Sequence, residues 1–191
     1  MAAPEQQAPA RGAIAPPANI SPQQARALRR DLHTISLYVN NKPGVLVRVA
    51  LVFARRAYNI ESLVVSPAVS GDFSRMTITC SGDPETLEQI IKQLAKLVDV
   101  VHATDHTGDY SYETEIALVK VRSAPAERTE VLQIAEHYGA KVVDFGADSL
   151  MLRVYGSSEK LDACLALLRP LGLTEIVRSG KILMARGLQE T

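Results

Sequence analysis

One order of elements, read twice from the periodicity of apolar residues, constrains this chain more than any other feature. Thr34–Val39 alternates polar and apolar residues, the period of a half-buried strand. Leu46, Val49, Ala50, Phe53 and Ala57 then recur at helical spacing, with Arg48, Arg55 and Arg56 on other faces. Tyr58–Ala68 reads as a second strand, Ser70-Gly71-Asp72 as a turn, and Phe73–Ser81 as a third strand with Met76, Ile78 and Cys80 on one face. Asp83-Pro84 is the start signal of a second helix. Its apolar stripe is Leu87, Ile90, Ile91, Leu94 and Leu97, and Glu88, Lys92 and Lys96 form a charged ladder outside it. Val98–Thr104 supplies a fourth strand. Strand, helix, strand, strand, helix, strand is the ferredoxin-like arrangement.

The second half repeats the order without repeating the residues. Ile116–Val121 is a strand, and Glu127–Tyr138 is a helix with Val131, Ile134, Ala135 and Tyr138 inward. Lys141–Phe145 and Leu150–Tyr155 form a hairpin through Gly146-Ala147-Asp148. Ser157–Leu171 is a helix burying Leu161, Cys164, Leu165 and Leu168, and Glu175–Arg178 closes the unit, with Lys181–Ala185 extending it or pairing with it across Gly180. The expected fold class is α+β, with two tandem ferredoxin-like βαββαβ domains over 31–109 and 110–187 and a short tail at 188–191. Two helices cover only one face of a four-stranded sheet. The other face of the first unit would carry Thr34, Ser36, Tyr38, Thr77 and Thr79, polar but uncharged, and an open edge strand would suit side-by-side pairing of two copies.

Residues 1–30 read differently. The Ala, Pro and Gln of 1–20 predict a disordered tail, and Ser21-Pro22 a short helix over 22–30 carrying Arg26, Arg29 and Arg30. The formal net charge of zero gives no general pull toward nucleic acid or membrane. No apolar run is long enough to span a bilayer and the amino terminus lacks the pattern of a secretion signal, so the expected location is cytoplasmic. Cys80 and Cys164 fall on apolar faces and read as small buried hydrophobes.

The turn Asn40-Asn41-Lys42-Pro43-Gly44-Val45-Leu46 is the candidate binding site. Pro43 suits a helix start, Gly44 lets a ligand approach the backbone, and the first amides of the helix are unpaired donors at the positive end of its dipole. Small-anion binding and plain turn geometry are equally compatible with these residues alone.

His33-Thr34-Ile35-Ser36-Leu37-Tyr38-Val39-Asn40-Asn41-Lys42-Pro43-Gly44-Val45-Leu46-Val47-Arg48-Val49 resembles the opening of an ACT domain. Arg56-Ala57-Tyr58-Asn59-Ile60-Glu61-Ser62-Leu63, Ser74-Arg75-Met76-Thr77-Ile78, Leu87-Glu88-Gln89-Ile90 and Lys96-Leu97-Val98-Asp99-Val100 narrow the resemblance to the small regulatory subunit of acetolactate synthase. Glu115-Ile116-Ala117-Leu118-Val119-Lys120-Val121 and Ile176-Val177-Arg178-Ser179-Gly180 are similar to the two ends of that family's carboxy-terminal domain.

The resemblance implies a chain without an active site. It would bind and activate the large catalytic subunit, which carries thiamine diphosphate, magnesium and FAD, and would confer feedback inhibition by valine, in some members also by leucine or isoleucine. It also implies a homodimer through the ACT domains, with valine at the interface. Carried over by position, the effector residues are Asn41, Pro43, Gly44, Val45, Leu46, Asn59 and Ile60. The carboxylate would accept the amides of Gly44, Val45 and Leu46, and the side-chain amides of Asn41 and Asn59 would accept from the ammonium group. Val47 departs from a common serine, and Gln89 matches a position linked to feedback sensitivity.

Other patterns have plainer readings. His102, Asp105 and His106 lack helical ligand spacing and read as a linker. Asp144-Phe145-Gly146 has no accompanying kinase signature and reads as a hairpin turn. Arg75 reads as a surface strand residue, with pairing across a dimer as the alternative. Glu113–Val121 is a candidate contact with the large subunit. Tyr38 and Phe73 are too few to make a stacking platform for RNA. A stand-alone amino-acid sensor and an acylphosphatase-like hydrolase are the rival classes; the second needs a loop arginine, where this turn offers Lys42.

Overall fold

The alternating segment at the start is strand β1 (Leu32–Asn40) in a computed structural model that describes residues 32–191. The tail expected over 1–30, with its helix at 22–30, lies outside the described residues. The first half continues through α1 (Val45–Ala54), β2 (Asn59–Pro67), β3 (Phe73–Ser81), α2 (Pro84–Leu94) and β4 (Val100–Asp105). The second runs through β5 (Tyr112–Arg122), α3 (Arg128–Tyr138), β6 (Lys141–Phe145), β7 (Ser149–Gly156), α4 (Ser158–Leu168) and β8 (Leu173–Arg178), then a short β9 (Ile182–Met184). Two antiparallel sheets result, in the orders β2-β3-β1-β4 and β6-β7-β5-β8. Among the described residues no helix is long and apolar enough to cross a membrane.

The strand period decides which face of each sheet is sealed by helices. Ile35, Leu37 and Val39 of β1 and Met76, Ile78 and Cys80 of β3 face Val49 and Phe53 of α1 and Leu87, Ile90 and Leu94 of α2. Ala117, Val119 and Val121 of β5 and Leu150, Leu152 and Val154 of β7 do the same against Val131, Ala135, Leu161, Cys164 and Leu168. Full burial of side chains such as Phe53 or Leu161 stabilises the fold by about 1.5–3 kcal/mol each. The second helix starts where the sequence signals it: Asp83 Oδ1 accepts the Thr86 amide at 2.8 Å, with Pro84 at the first helical position.

The structure departs from the sequence reading at β4, at β9 and on the outer face of the first sheet, as well as at the start of β5. β4 begins at Val100 because the chain turns after α2, the amides of Leu97 and Val100 donating to Leu94 and Leu97 carbonyls. β9 neither extends nor pairs with β8; it pairs with the start of β5, Ile182 opposite Thr114 and Met184 opposite Tyr112. The outer face of the first sheet is not left to solvent, since Thr34, Ser36, Thr77 and Thr79 are all buried. The chain after β8 reaches this face: Lys181 Nζ donates to Thr34 Oγ1 at 3.3 Å, and Gly180 lies against Ser62 and Val64.

Candidate functional site

The turn between β1 and α1 is a tight backbone structure with an uncapped helix start. Gly44 is the residue before the helix and adopts φ +85°, a left-handed conformation that a side chain disfavours. No side chain caps α1 and its first turn carries no acidic residue. Val47 is 61% exposed and offers no hydroxyl. Val45 N–H turns back to Lys42 O at 3.4 Å, and the amides that follow it present positive dipole density without a side-chain oxygen to satisfy it. Leu46, Val47 and Leu51 add an exposed apolar surface beside them.

Asn41 is exposed, but its side chain holds the neighbouring turn: Nδ2 donates to Gly71 O at 3.0 Å, and its backbone N–H donates to Asp72 O at 2.8 Å. Its amide oxygen is the atom left to face an ammonium group. Asn59 Nδ2 donates to Glu61 Oε1 at 2.8 Å. Ile60 is half-buried against the first core, and its contribution is to position rather than to expose a group.

The two parts of this set lie at opposite ends of the sheet. Asn40 pairs with Phe73, which fixes the Gly44 turn at the start of β3, while Asn59 pairs with Ser81 at the end of β3. The strand rise makes that separation roughly 26 Å. Asn41, Pro43, Gly44, Val45 and Leu46 are brought together in one chain; Asn59 and Ile60 are not brought to them.

The remaining candidates take structural partners. Gln89 Oε1 accepts from Arg56 Nη1 at 2.7 Å, joining the end of α1 to α2. Arg75 is a partly exposed residue of β3, as expected of a surface strand residue, and within the chain it lies 5.4 Å over the Tyr38 ring and donates to Thr191 O at 2.6 Å. His106 is buried with Nε2 2.8 Å from Ser36 Oγ, whereas Asp105 accepts from the Thr107 amide at 2.9 Å and His102 is exposed. Gly146 N–H donates to Ser149 O at 2.9 Å and Arg128 stacks over Phe145, which makes Asp144-Phe145-Gly146 a hairpin turn. Glu113–Val121 is not one surface: Ala117, Val119 and Val121 are core, and only Ile116 and Leu118 expose apolar groups. Glu115 is buried, taking Ser158 Oγ at 2.9 Å and Arg178 Nε at 3.0 Å, so the two motifs at the ends of the second half meet each other.

Comparison with known proteins covers both halves. Residues 35–102 match the model of the small-subunit-like ACT domain of acetohydroxyacid synthase, and residues 114–187 match the model of the small subunit of acetolactate synthase. A probable acetolactate synthase small subunit of Archaeoglobus fulgidus is 43% identical over 155 residues, 81% of this chain and 97% of that one. The acetolactate synthase small subunit of Bacillus subtilis is 43% identical over 157 residues, 82% of this chain and 91% of its own. The crystal structure of the acetolactate synthase small subunit from Thermotoga maritima superposes with a TM-score of 0.73 at 37% identity, covering 82% of this chain and 98% of that one.

Proposed function

Because the chain belongs to the acetolactate synthase small subunits, the non-catalytic regulatory partners of that enzyme, we propose that its β1–α1 turn binds valine and transmits feedback inhibition to the catalytic subunit. The observation that carries this reading is the uncapped amino terminus of α1 behind a left-handed Gly44. A carboxylate there accepts the leading amides and gains about 0.3–1 kcal/mol from the helix dipole beyond its hydrogen bonds. The exposed Leu46 and Val47 suit a branched aliphatic side chain, including those of leucine and isoleucine.

Asn59 and Ile60 join this site from a second copy. A two-fold axis normal to the sheet reverses strand direction, so one protomer's Gly44 turn comes to the same end of the joined sheet as its partner's Asn59. Of the two edges of this sheet, β2 and β4, β2 is the one that carries Asn59 and Ile60 to the seam. Thiamine diphosphate, magnesium and FAD belong to the catalytic subunit in this reading. Among the described residues no group of three His, Cys, Asp or Glu side chains is gathered as a metal ligand set.

Inhibition follows from linkage: valine lowers activity to the extent that it binds the poorly active state of the complex better, and a coupling of about 1–3 kcal/mol is the ordinary scale. Acetolactate formation by the cognate large subunit, with and without this chain, tests the proposal across a valine titration. The expected outcome is activation, valine inhibition, and loss of that inhibition in Gly44→Asp. Activation without any valine response rejects the turn as a valine site, and no activation favours a stand-alone sensor.

A further inference from the structure

Asp99 lies in the loop between α2 and β4 and touches the effector turn twice. Its carbonyl accepts the N–H of Asn40 at 2.8 Å, and its carboxylate Oδ2 accepts from Arg48 Nη2 at 2.6 Å. One residue thus fixes both arms of the turn, the last residue of β1 and the first turn of α1. The Asp99 side chain is 17% exposed and the Arg48 side chain 47%, so the pair is sheltered on the aspartate side and open on the arginine side.

Gly44 and Arg48 are four residues apart and share a helix face, and a helical side chain leans toward the amino terminus. A Cβ built on Gly44 would stand 3.3 Å from Arg48 Nη1. The guanidinium therefore roofs the glycine, Nη2 engaged by Asp99 and Nη1 directed over the turn. The planar fork suits this double duty, because its two edges hold two partners in a fixed geometry, as an ammonium cannot.

We propose that Asp99 is a positioning residue which sets Arg48 over Gly44, where Arg48 Nη1 and the leading amides of α1 receive the α-carboxylate of the amino-acid effector. The proposal rests on the reading of the turn as an effector site. It also gives Asp99, more than 50 residues from the turn in sequence, a part in that turn.

Calorimetric titration of the full chain with valine, and with valinamide as the probe lacking the carboxylate, tests it. Arg48→Ala and Asp99→Asn are each expected to weaken valine binding roughly tenfold, the scale of one charge-assisted hydrogen bond. The double variant is expected to be no weaker than Arg48→Ala, because the two act as one unit. The preference for valine over valinamide should shrink by the same factor, a change that general loosening of the fold would not produce. Arg48→Lys is expected to keep the melting temperature and still lose most of the preference. Wild-type affinity and preference in folded Arg48→Ala would overturn the proposal and leave the turn as a valine site. Failure of the wild-type chain to bind valine at all overturns both.

Discussion

Cys80 and Cys164 show how completely a residue's chemistry follows its neighbours. Both are buried, one in each core. Burial, with lesser contributions from the charges of Asp105 and Glu61, pushes the Cys80 thiol up to about 12; burial also raises Cys164, against a smaller opposing effect of Lys160. A thiol held protonated and enclosed is a poor nucleophile. Neither cysteine is expected to react with a soluble disulfide reagent at pH 8 until denaturant is added, when both should react; titration of released chromophore checks this. Val47 gives the opposite case. It is exposed at the first turn of α1, so Val47→Ser is expected to change stability by less than about 0.5 kcal/mol, read by urea unfolding, and to strengthen valine inhibition. Burial of the cysteines was legible from period alone. The partner of Asn41 was not, because Gly71 lies 30 positions away and no local rule connects them.

At the scale of elements, local signals carried the furthest. Asp83-Pro84 marks the start of α2 because an extended residue with a short acceptor side chain, followed by proline, satisfies a helix end by itself. The Thr86 amide, first among the groups donating to it, holds the Asp83 carboxyl below its ordinary value. A lowered folded-state value means stability that is present above the usual aspartate range and lost as pH falls through the folded-state value. Asp83→Ala is therefore expected to lower the melting temperature near neutral pH, with the difference from wild type closing in acid; paired thermal scans across pH check the sign. The partner of β9 escaped the sequence reading, which placed Lys181–Ala185 on the closing strand, for the complementary reason. Three residues are too few to display a period, and that partner is the far end of β5, some 70 residues earlier. The same lack of any local mark hid the extra residues of β5 before Ile116, Tyr112–Glu115, which exist as strand in part because β9 pairs with them.

In the molecule as a whole, the polar outer face of the first sheet is the feature that sequence alone left unassigned. Its alternation was readable, but what covers it depends on where the chain after β8 returns. Lys181 bridges Glu113, at 2.7 Å, and Thr34, and Gly180 at φ +82° lies so close to β2 that a Cβ would meet Ser62 Cβ at 2.8 Å. Gly180→Val combines that contact with left-handed strain and is expected to destabilise by about 1–3 kcal/mol in urea unfolding. The register of the first sheet has a consequence of another kind. In the proposed reading, Gly44 and Asn59, at opposite ends of one sheet, complete an effector site only where two copies meet. Ligand binding and self-association then share one mass-action balance, so apparent valine affinity is expected to fall on dilution through the dimer dissociation constant, and added valine to tighten the dimer. Such a subunit senses the amino acid more keenly as it becomes more abundant itself, until dimerisation is complete.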